Sequence, residues 1–153
     1  MAQHRSIFIL NGSNLNLLGI REPEIYGRDT LSDIEAACRA AAKPHRIDIE
    51  FRQTNSESQM IDWIQEARDH AAAIIINPAG FSFTSVAVLD ALQMCSCPIV
   101  EVHLSNIHRR ESFRHRSYVS LAAKGVICGL GADGYVLAAQ HLARIIGQPV
   151  AGD

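Results

Sequence analysis

Tyr26 follows Arg21 by five residues, in a segment punctuated by Pro23 and Gly27. Pro23 blocks helix hydrogen bonding and favours extended backbone at Glu22, so we predict that this segment is not helical. Gly27 gives the backbone freedom directly after the tyrosine. A tyrosine hydroxyl is ordinarily protonated at neutral pH, but a nearby guanidinium favours the phenolate. A loop with both groups could deliver a base to a substrate; the alternative is a surface loop whose tyrosine only packs.

Polar residues stand at the ends of three apolar runs that have the pattern of buried strands. These residues are Asn11, followed by Asn14, then Asn77, and His103. In parallel sheets, ligands bind outside the carboxyl ends of the strands. Each asparagine could instead serve a turn. The convergence of three polar strand ends nevertheless favours a binding site over packing alone.

The stretch from Leu104 to Ser120 is rich in hydrogen-bond donors and positive charge. A backbone turn with Ser105 could hold a carboxylate, and arginines could close over it. The alternatives are a solvated face or an RNA-binding surface, but the net charge of −2 and the lack of interleaved aromatic residues disfavour nucleic acid. His103 and His108 could bind a metal ion, yet no acidic cluster completes such a site. The residues available to a small anionic ligand are Ser105, Asn106, His108, Arg109, Arg110, Arg114, His115 and Arg116.

Composition narrows the class of protein. A chain of 153 residues with 48% hydrophobic residues suits one folded domain, residues 1–153, with a substantial core. No apolar run approaches the length of a membrane span, and the first apolar run is too short for a secretory signal. The four cysteines lack the spacing of a zinc site. We therefore expect free thiols, a cytoplasmic location and no membrane association.

Apolar strands alternate with amphipathic helices five times along the chain. This alternation predicts a parallel sheet covered on both faces, and right-handed crossovers make it a flavodoxin-like three-layer sandwich. Helix starts are predicted at Thr30 with Asp33 and at Ser56 with Gln59, because these pairs have the pattern of capping residues. The predicted strands cover residues 6–10, 47–53, 73–76 and 99–102 and the surroundings of Val126 and Ile127.

Cofactor motifs are missing from the predicted strand ends. No G-x-G-x-x-G follows the first strand, and the glycines between 125 and 134 lack the required context. No G-x-S-x-G is present either. A flavin site would rest on fold analogy alone. We predict that the protein uses no cofactor and no metal and acts on a small molecule.

Four motifs resemble those of the type II 3-dehydroquinate dehydratases, in order and over nearly the whole chain. Asn11 to Gly19 is similar to the family's N-G-P-N-L-N-L-L-G, and Arg21 to Gly27 to its R-x-P-x-x-Y-G lid. Glu101 to Asn106 is similar to E-V-H-[IL]-S-N, and Arg110 to Tyr118 to R-x-x-[FY]-R-x-x-S-[YF]. The resemblance implies a hydro-lyase of the shikimate or quinate pathway. It would convert 3-dehydroquinate to 3-dehydroshikimate through an enolate, without a cofactor.

The resemblance also implies catalytic roles for individual residues. Tyr26 would remove the C2 proton with the help of Arg21. Asn14 would orient a water molecule near the enolate oxygen. His103 would protonate the leaving C1 hydroxyl, supported by Glu101.

Binding roles and assembly follow from the same resemblance. The backbone of Leu104 and Ser105, with the Ser105 hydroxyl, would hold the substrate carboxylate. Asn77 and Arg114 would bind ring hydroxyls, and Arg110 would lie near the lid. The resemblance further implies a homododecamer built from trimers, in which Asp90 reaches towards the site of a neighbouring subunit.

Three positions depart from the family pattern. Ser13 stands where the family usually has proline, and Leu89 where arginine usually precedes Asp90. Phe83 replaces a histidine that helps to bind the ring hydroxyls. This leaves three hypotheses open: a dehydratase with weaker substrate binding, a paralogue acting on a related hydroxylated cyclic carboxylate, or a non-catalytic binder of such a compound. The presence of both a base and an acid favours an enzyme.

Overall fold

The computed structural model describes residues 5–20 and 22–147 of the chain. A parallel sheet of five strands lies at its centre, in the order β2-β1-β3-β4-β5. The flavodoxin-like three-layer prediction is confirmed. The strands are β1 (Ser6–Asn11), β2 (Asp48–Gln53), β3 (Ala73–Asn77), β4 (Ile99–His103) and β5 (Gly125–Cys128), and the helices are α1 (Pro23–Tyr26), α2 (Leu31–Ala42), α3 (Glu57–His70), α4 (Val86–Gln93) and α5 (Ala132–Ile146).

Successive residues of β1 point into two different cores because side chains alternate across a strand. Ile7 and Ile9 pack with α2 and α5, whereas Phe8 and Leu10 pack with α3 and α4. A strand buried on both faces needs a continuous apolar run, which is what the sequence of β1 provides. The helices thus form one layer on each side of the sheet.

The predicted helix starts at Thr30 and Ser56 are confirmed. The Thr30 hydroxyl accepts from the backbone N–H of Asp33, and the Asp33 carboxylate accepts from that of Thr30. The Ser56 hydroxyl accepts from the backbone N–H of Gln59 at 3.2 Å. Each bond satisfies an N–H group that has no partner inside its helix.

The prediction that the segment before Gly27 is not helical is wrong. Pro23–Tyr26 forms one helical turn, α1, with the proline in the first turn. A proline is tolerated there because its missing N–H would have had no intrahelical partner. Glu22 is left-handed, at φ 39° and ψ 62°, rather than extended. Gly27 ends the turn at φ 87°, so its predicted role as a point of backbone freedom is confirmed.

The polar ends of β1, β3 and β4 meet at the carboxyl edge of the sheet. Asn11 lies directly beside Asn77 in the parallel register of β1 and β3. The backbone N–H of Gly12 donates to the Asn77 carbonyl at 2.8 Å. A Cβ at Gly12 would lie 2.2 Å from the Pro78 carbonyl oxygen, so only glycine allows this approach. The sheet therefore brings the predicted site residues together at one edge.

Candidate active site

A cavity of about 160 Å³ opens at the carboxyl edge of the sheet. Its walls come from the ends of β3 and β4, from α1, and from the segments that follow β1, β3 and β4. Most of the predicted site residues therefore share one concave surface. Those that line it are Asn14, Tyr26, Asn77, Phe83, His103, Leu104, Ser105, Arg110 and Arg114.

Two of the predicted site residues that the structure describes do not line this cavity. Glu101 is fully buried behind His103. Asp90 is exposed on α4, on the surface of the chain rather than in its own cavity. Arg21, predicted to assist Tyr26, lies outside the described residues.

Tyr26 ends α1 and faces the loop that follows β4. The guanidinium carbon of Arg110 lies 5.2 Å from the centre of the Tyr26 ring. Nη1 of Arg110 donates to the Ser105 hydroxyl at 3.4 Å. Arg110 therefore links the tyrosine to the Ser105 loop, and its charge favours a negatively charged species between them.

His103 ends β4 with its ring 6.2 Å, centre to centre, from that of Phe83. Nε2 of His103 forms a hydrogen bond with a carboxylate oxygen of Glu101. The Ser120 hydroxyl donates to the other oxygen of Glu101 at 2.6 Å. Burial opposes the charged form of Glu101, but the bonds from His103 and Ser120 outweigh it and lower the pKa of this carboxyl. Because Nε2 of His103 is bonded to this carboxylate, the other ring nitrogen, Nδ1, is left to exchange a proton with a ligand.

The loop after β4 offers donors to an anion. No described residue accepts a hydrogen bond from the backbone N–H of Leu104 or of Ser105. The Ser105 hydroxyl and the Arg110 guanidinium lie beside them. Convergent N–H groups with a nearby guanidinium form a site that suits a carboxylate.

Phe83 is close to both His103 and Arg114. Its ring is nearly parallel to that of His103, with an angle of 23° between the planes. The guanidinium carbon of Arg114 lies 5.7 Å from the centre of the same ring. Nε of Arg114 donates to Glu111 at 2.7 Å, which fixes the arginine next to the cavity. Phe83 thus adds an apolar surface to the cavity beside the polar side chains of His103 and Arg114.

Asn14 extends from the loop after β1 with a left-handed backbone, at φ 69°. Its backbone N–H donates to the Asn55 side chain at 2.9 Å. The Asn14 side chain is exposed to the cavity and bonds to no described residue. It is therefore available to hold a water molecule or a ligand oxygen.

Two residues with contacts to the site were missed by the sequence reasoning. Ser120, which bonds Glu101, lies in a segment of the sequence with no distinguishing pattern. Tyr135, which bonds both Asn11 and Asn77, has in the sequence only the spacing of an apolar helix face. A signal for Tyr135 did exist, because a tyrosine buried on a helix face requires a partner for its hydroxyl. The described residues contain no group of three or more histidine, cysteine, aspartate or glutamate side chains that could hold a metal ion.

Comparison with known protein families shows which family this chain belongs to. The model of the family described as dehydroquinase class II matches residues 5–143. This chain belongs to the dehydroquinase class II family. The resemblance to this family drawn from the sequence is therefore confirmed.

Relatives within the dehydroquinase class II family cover nearly the full chain. A protein of Streptomyces avermitilis named 3-dehydroquinate dehydratase is 59% identical over 140 residues, which cover 91% of this chain and 88% of the relative. A protein of Pseudomonas aeruginosa named 3-dehydroquinate dehydratase 2 is 56% identical over 140 residues, with coverage of 92% and 95%. The crystal structure of the type II dehydroquinase from Propionibacterium acnes superposes with a TM-score of 0.87 at 45% identity, covering 93% of this chain and 99% of the other.

Proposed function

We propose that this chain is a hydro-lyase that converts 3-dehydroquinate to 3-dehydroshikimate. The observation that carries the proposal is that Tyr26, His103 and the free N–H groups of Leu104 and Ser105 share one small cavity. Loss of water next to a ketone needs a base, an acid and a group that fixes the substrate between them. The relatives' names support the same substrate.

The first step is removal of a proton from C2, which lies beside the C3 ketone. Tyr26 acts as the base with the assistance of Arg21, and the guanidinium carbon of Arg110 lies 5.2 Å from the centre of the Tyr26 ring. The electron pair moves onto the ketone oxygen and gives an enolate. Asn14 holds a water molecule that donates to this oxygen as negative charge develops on it.

The second step is loss of the C1 hydroxyl. His103 donates its proton to this hydroxyl, which leaves as water while the enolate collapses to the conjugated ketone. Glu101 supports the imidazolium before the transfer. After one turnover Tyr26 is protonated and His103 is neutral, so a proton must pass between them through solvent before the next cycle.

Binding fixes the ring between base and acid. The N–H groups of Leu104 and Ser105, with the Ser105 hydroxyl, hold the carboxylate. Asn77 and Arg114 hold ring hydroxyls. Phe83 packs against the ring at a place where the family usually offers a histidine, so one hydroxyl contact is lost.

We further propose that the active form is a homododecamer built from trimers, with Asp90 of one subunit reaching the site of its neighbour. Asp90 is exposed, as this role requires.

The protein uses neither cofactor nor metal, because Tyr26 and His103 can carry out both proton transfers. It binds a small molecule, not nucleic acid. The described cysteines are all free thiols, which supports a location in the reducing cytoplasm. Within residues 5–20 and 22–147, no helix has the length and apolar character needed to cross a membrane.

The test is to incubate the purified protein with 3-dehydroquinate and to follow the ultraviolet absorbance of the conjugated product. Turnover without added cofactor is the expected result. Binding without turnover would favour a non-catalytic binder. Neither binding nor turnover would favour a paralogue that acts on another hydroxylated cyclic carboxylate.

A further inference from the structure

A chain of buried hydrogen bonds runs beneath the cavity. Tyr135 on α5 is fully buried, and its hydroxyl lies between the side chains of two strand ends. It donates to Oδ1 of Asn11 at 2.7 Å and accepts from Nδ2 of Asn77 at 2.8 Å. Asn77 lines the cavity, whereas Asn11 is fully buried below it.

The donor and acceptor roles in these hydrogen bonds are fixed by backbone groups at both ends of the series. Nδ2 of Asn11 donates to the Arg52 carbonyl at 3.0 Å, and a carbonyl can only accept. Oδ1 of Asn77 accepts from the backbone N–H of Ala79 at 3.2 Å, and an N–H can only donate. Both amides are therefore oriented by groups that cannot exchange roles. The Tyr135 hydroxyl has one hydrogen, which it donates to Asn11, so it accepts the hydrogen bond from Asn77. The orientation of one amide is therefore linked to that of the other.

Tyr135 keeps its proton under ordinary conditions. Burial raises the pKa of its hydroxyl, and the bond from Asn77 offsets only part of this effect. The hydroxyl therefore remains a donor to Asn11 and an acceptor from Asn77 at neutral pH. The donor and acceptor roles in this series of hydrogen bonds therefore do not reverse.

The same bonds also hold the turn that forms one wall of the cavity. Ala79 has a left-handed backbone at φ 52°, which is unfavourable for a residue with a Cβ. Its N–H is held by Asn77, and Ala79 and Gly80 both line the cavity. A change in the orientation of the Asn77 amide would remove the partner of this strained residue.

We propose that Tyr135 is a positioning residue that orients the Asn77 amide for substrate binding. One hydrogen of Nδ2 is bonded to Tyr135, and the other is left to donate to an oxygen of the ligand in the cavity. Asn77 therefore acts as a donor to a ring hydroxyl oxygen, and Tyr135 determines that it is a donor. This inference rests on the proposed function, because the ligand is 3-dehydroquinate.

The test is the steady-state kinetics of Tyr135→Phe on 3-dehydroquinate. The variant keeps the aromatic ring and removes only the hydroxyl. We expect KM to rise by roughly five- to a hundredfold, as for a buried polar group that loses its partner, whereas kcat changes by less than about threefold. A residue with a purely structural role would lower Tm and leave KM unchanged.

A double-mutant cycle shows whether Tyr135 acts through Asn77. In an Asn77→Ala background, Tyr135→Phe should raise KM no further. Leu142→Val is the matched control, because Leu142 is fully buried on the same helix about two turns away from Tyr135. It should lower Tm without changing KM. If Tyr135→Phe does not fold, Asn11→Ala removes the acceptor of the phenol one step further from the cavity and should also raise KM.

Separate results would overturn the two proposals. If the parent turns over 3-dehydroquinate and KM is unchanged in Tyr135→Phe, or in Asn11→Ala where that variant is used, the positioning role is wrong. Equal increases in KM in the parental and Asn77→Ala backgrounds would also overturn it. If the parent shows no turnover, the proposed function fails and the positioning role fails with it.

Discussion

Replacing Phe83 by histidine should improve the binding of 3-dehydroquinate. Phe83 lines the cavity near His103 and Arg114 and offers a substrate hydroxyl no hydrogen bond. A ring hydroxyl that faces it loses water without gaining a partner, which costs about 1–3 kcal/mol. A histidine at the same place could restore that bond.

The gain in binding free energy is reduced because Phe83→His also removes one favourable contact. The guanidinium of Arg114 lies 5.7 Å from the Phe83 ring, and such a contact contributes about 0.5–1 kcal/mol. Subtracting this from the middle of the hydrogen-bond range leaves about 1.3 kcal/mol. A difference of that size lowers KM by roughly tenfold. kcat should change less, because the reacting atoms contact Tyr26 and His103.

Phe113→His is the matched control. The guanidinium of Arg114 also lies 5.1 Å from the Phe113 ring, but Phe113 is 63% exposed and is not part of the cavity lining. This change removes a similar contact to Arg114 without placing an imidazole in the cavity, so KM should stay close to that of the parent. The assay is initial-rate kinetics from the absorbance of the product. If Phe83→His does not lower KM, the reasoning from a missing hydrogen bond is refuted.

Four further predictions concern Glu101, the absence of metal and the assembly. Glu101→Gln should lower kcat by on the order of ten- to a hundredfold, because the imidazolium of His103 loses its charged partner, and an unchanged kcat would remove Glu101 from the mechanism. The pKa of Glu101 is lowered in the folded state, so its stabilising contribution is present above the ordinary carboxyl pKa and is lost as the pH falls. Between about pH 7 and pH 3, the parent should therefore lose more free energy of unfolding than Glu101→Gln, as measured by urea titration at each pH. Dialysis against a strong chelator should leave kcat/KM unchanged, and a loss reversed by a divalent cation would contradict the metal-free mechanism. Light scattering at working concentration should give a mass that is a multiple of the trimer, and a monomeric mass would contradict the proposed assembly.

The central elements of the fold could be predicted because local rules and global packing agree. The alternation of apolar strands and capped helices requires a parallel sheet, and the capping residues Thr30 and Ser56 mark where two helices begin. The convergence of Asn77 and His103 followed from the topology, since the ends of parallel strands share one edge. These predictions needed no knowledge of individual side-chain contacts.

The features that could not be predicted from the sequence depend on contacts between residues that are far apart in the chain. Pro23 is compatible with a loop or with the first turn of a helix, and only the packing around Tyr26 decides between them. The bond from Tyr135 to Asn77 joins residues 58 positions apart, and that from Ser120 to Glu101 joins residues 19 positions apart. Hydrophobic periodicity places Tyr135 in the core but does not identify the partner of its hydroxyl.

The most direct test of the account is the turnover of 3-dehydroquinate by Tyr26→Phe compared with the parent and with Tyr118→Phe. Tyr118 is 40% exposed and does not line the cavity, so its replacement controls for the loss of a tyrosine hydroxyl. If Tyr26 is the base, Tyr26→Phe should lower kcat by on the order of a hundred- to ten-thousandfold. Calorimetry should still detect binding of 3-dehydroquinate to this variant. Tyr118→Phe should retain the parental rate. Near-parental turnover by Tyr26→Phe would contradict the assignment of Tyr26 as the base.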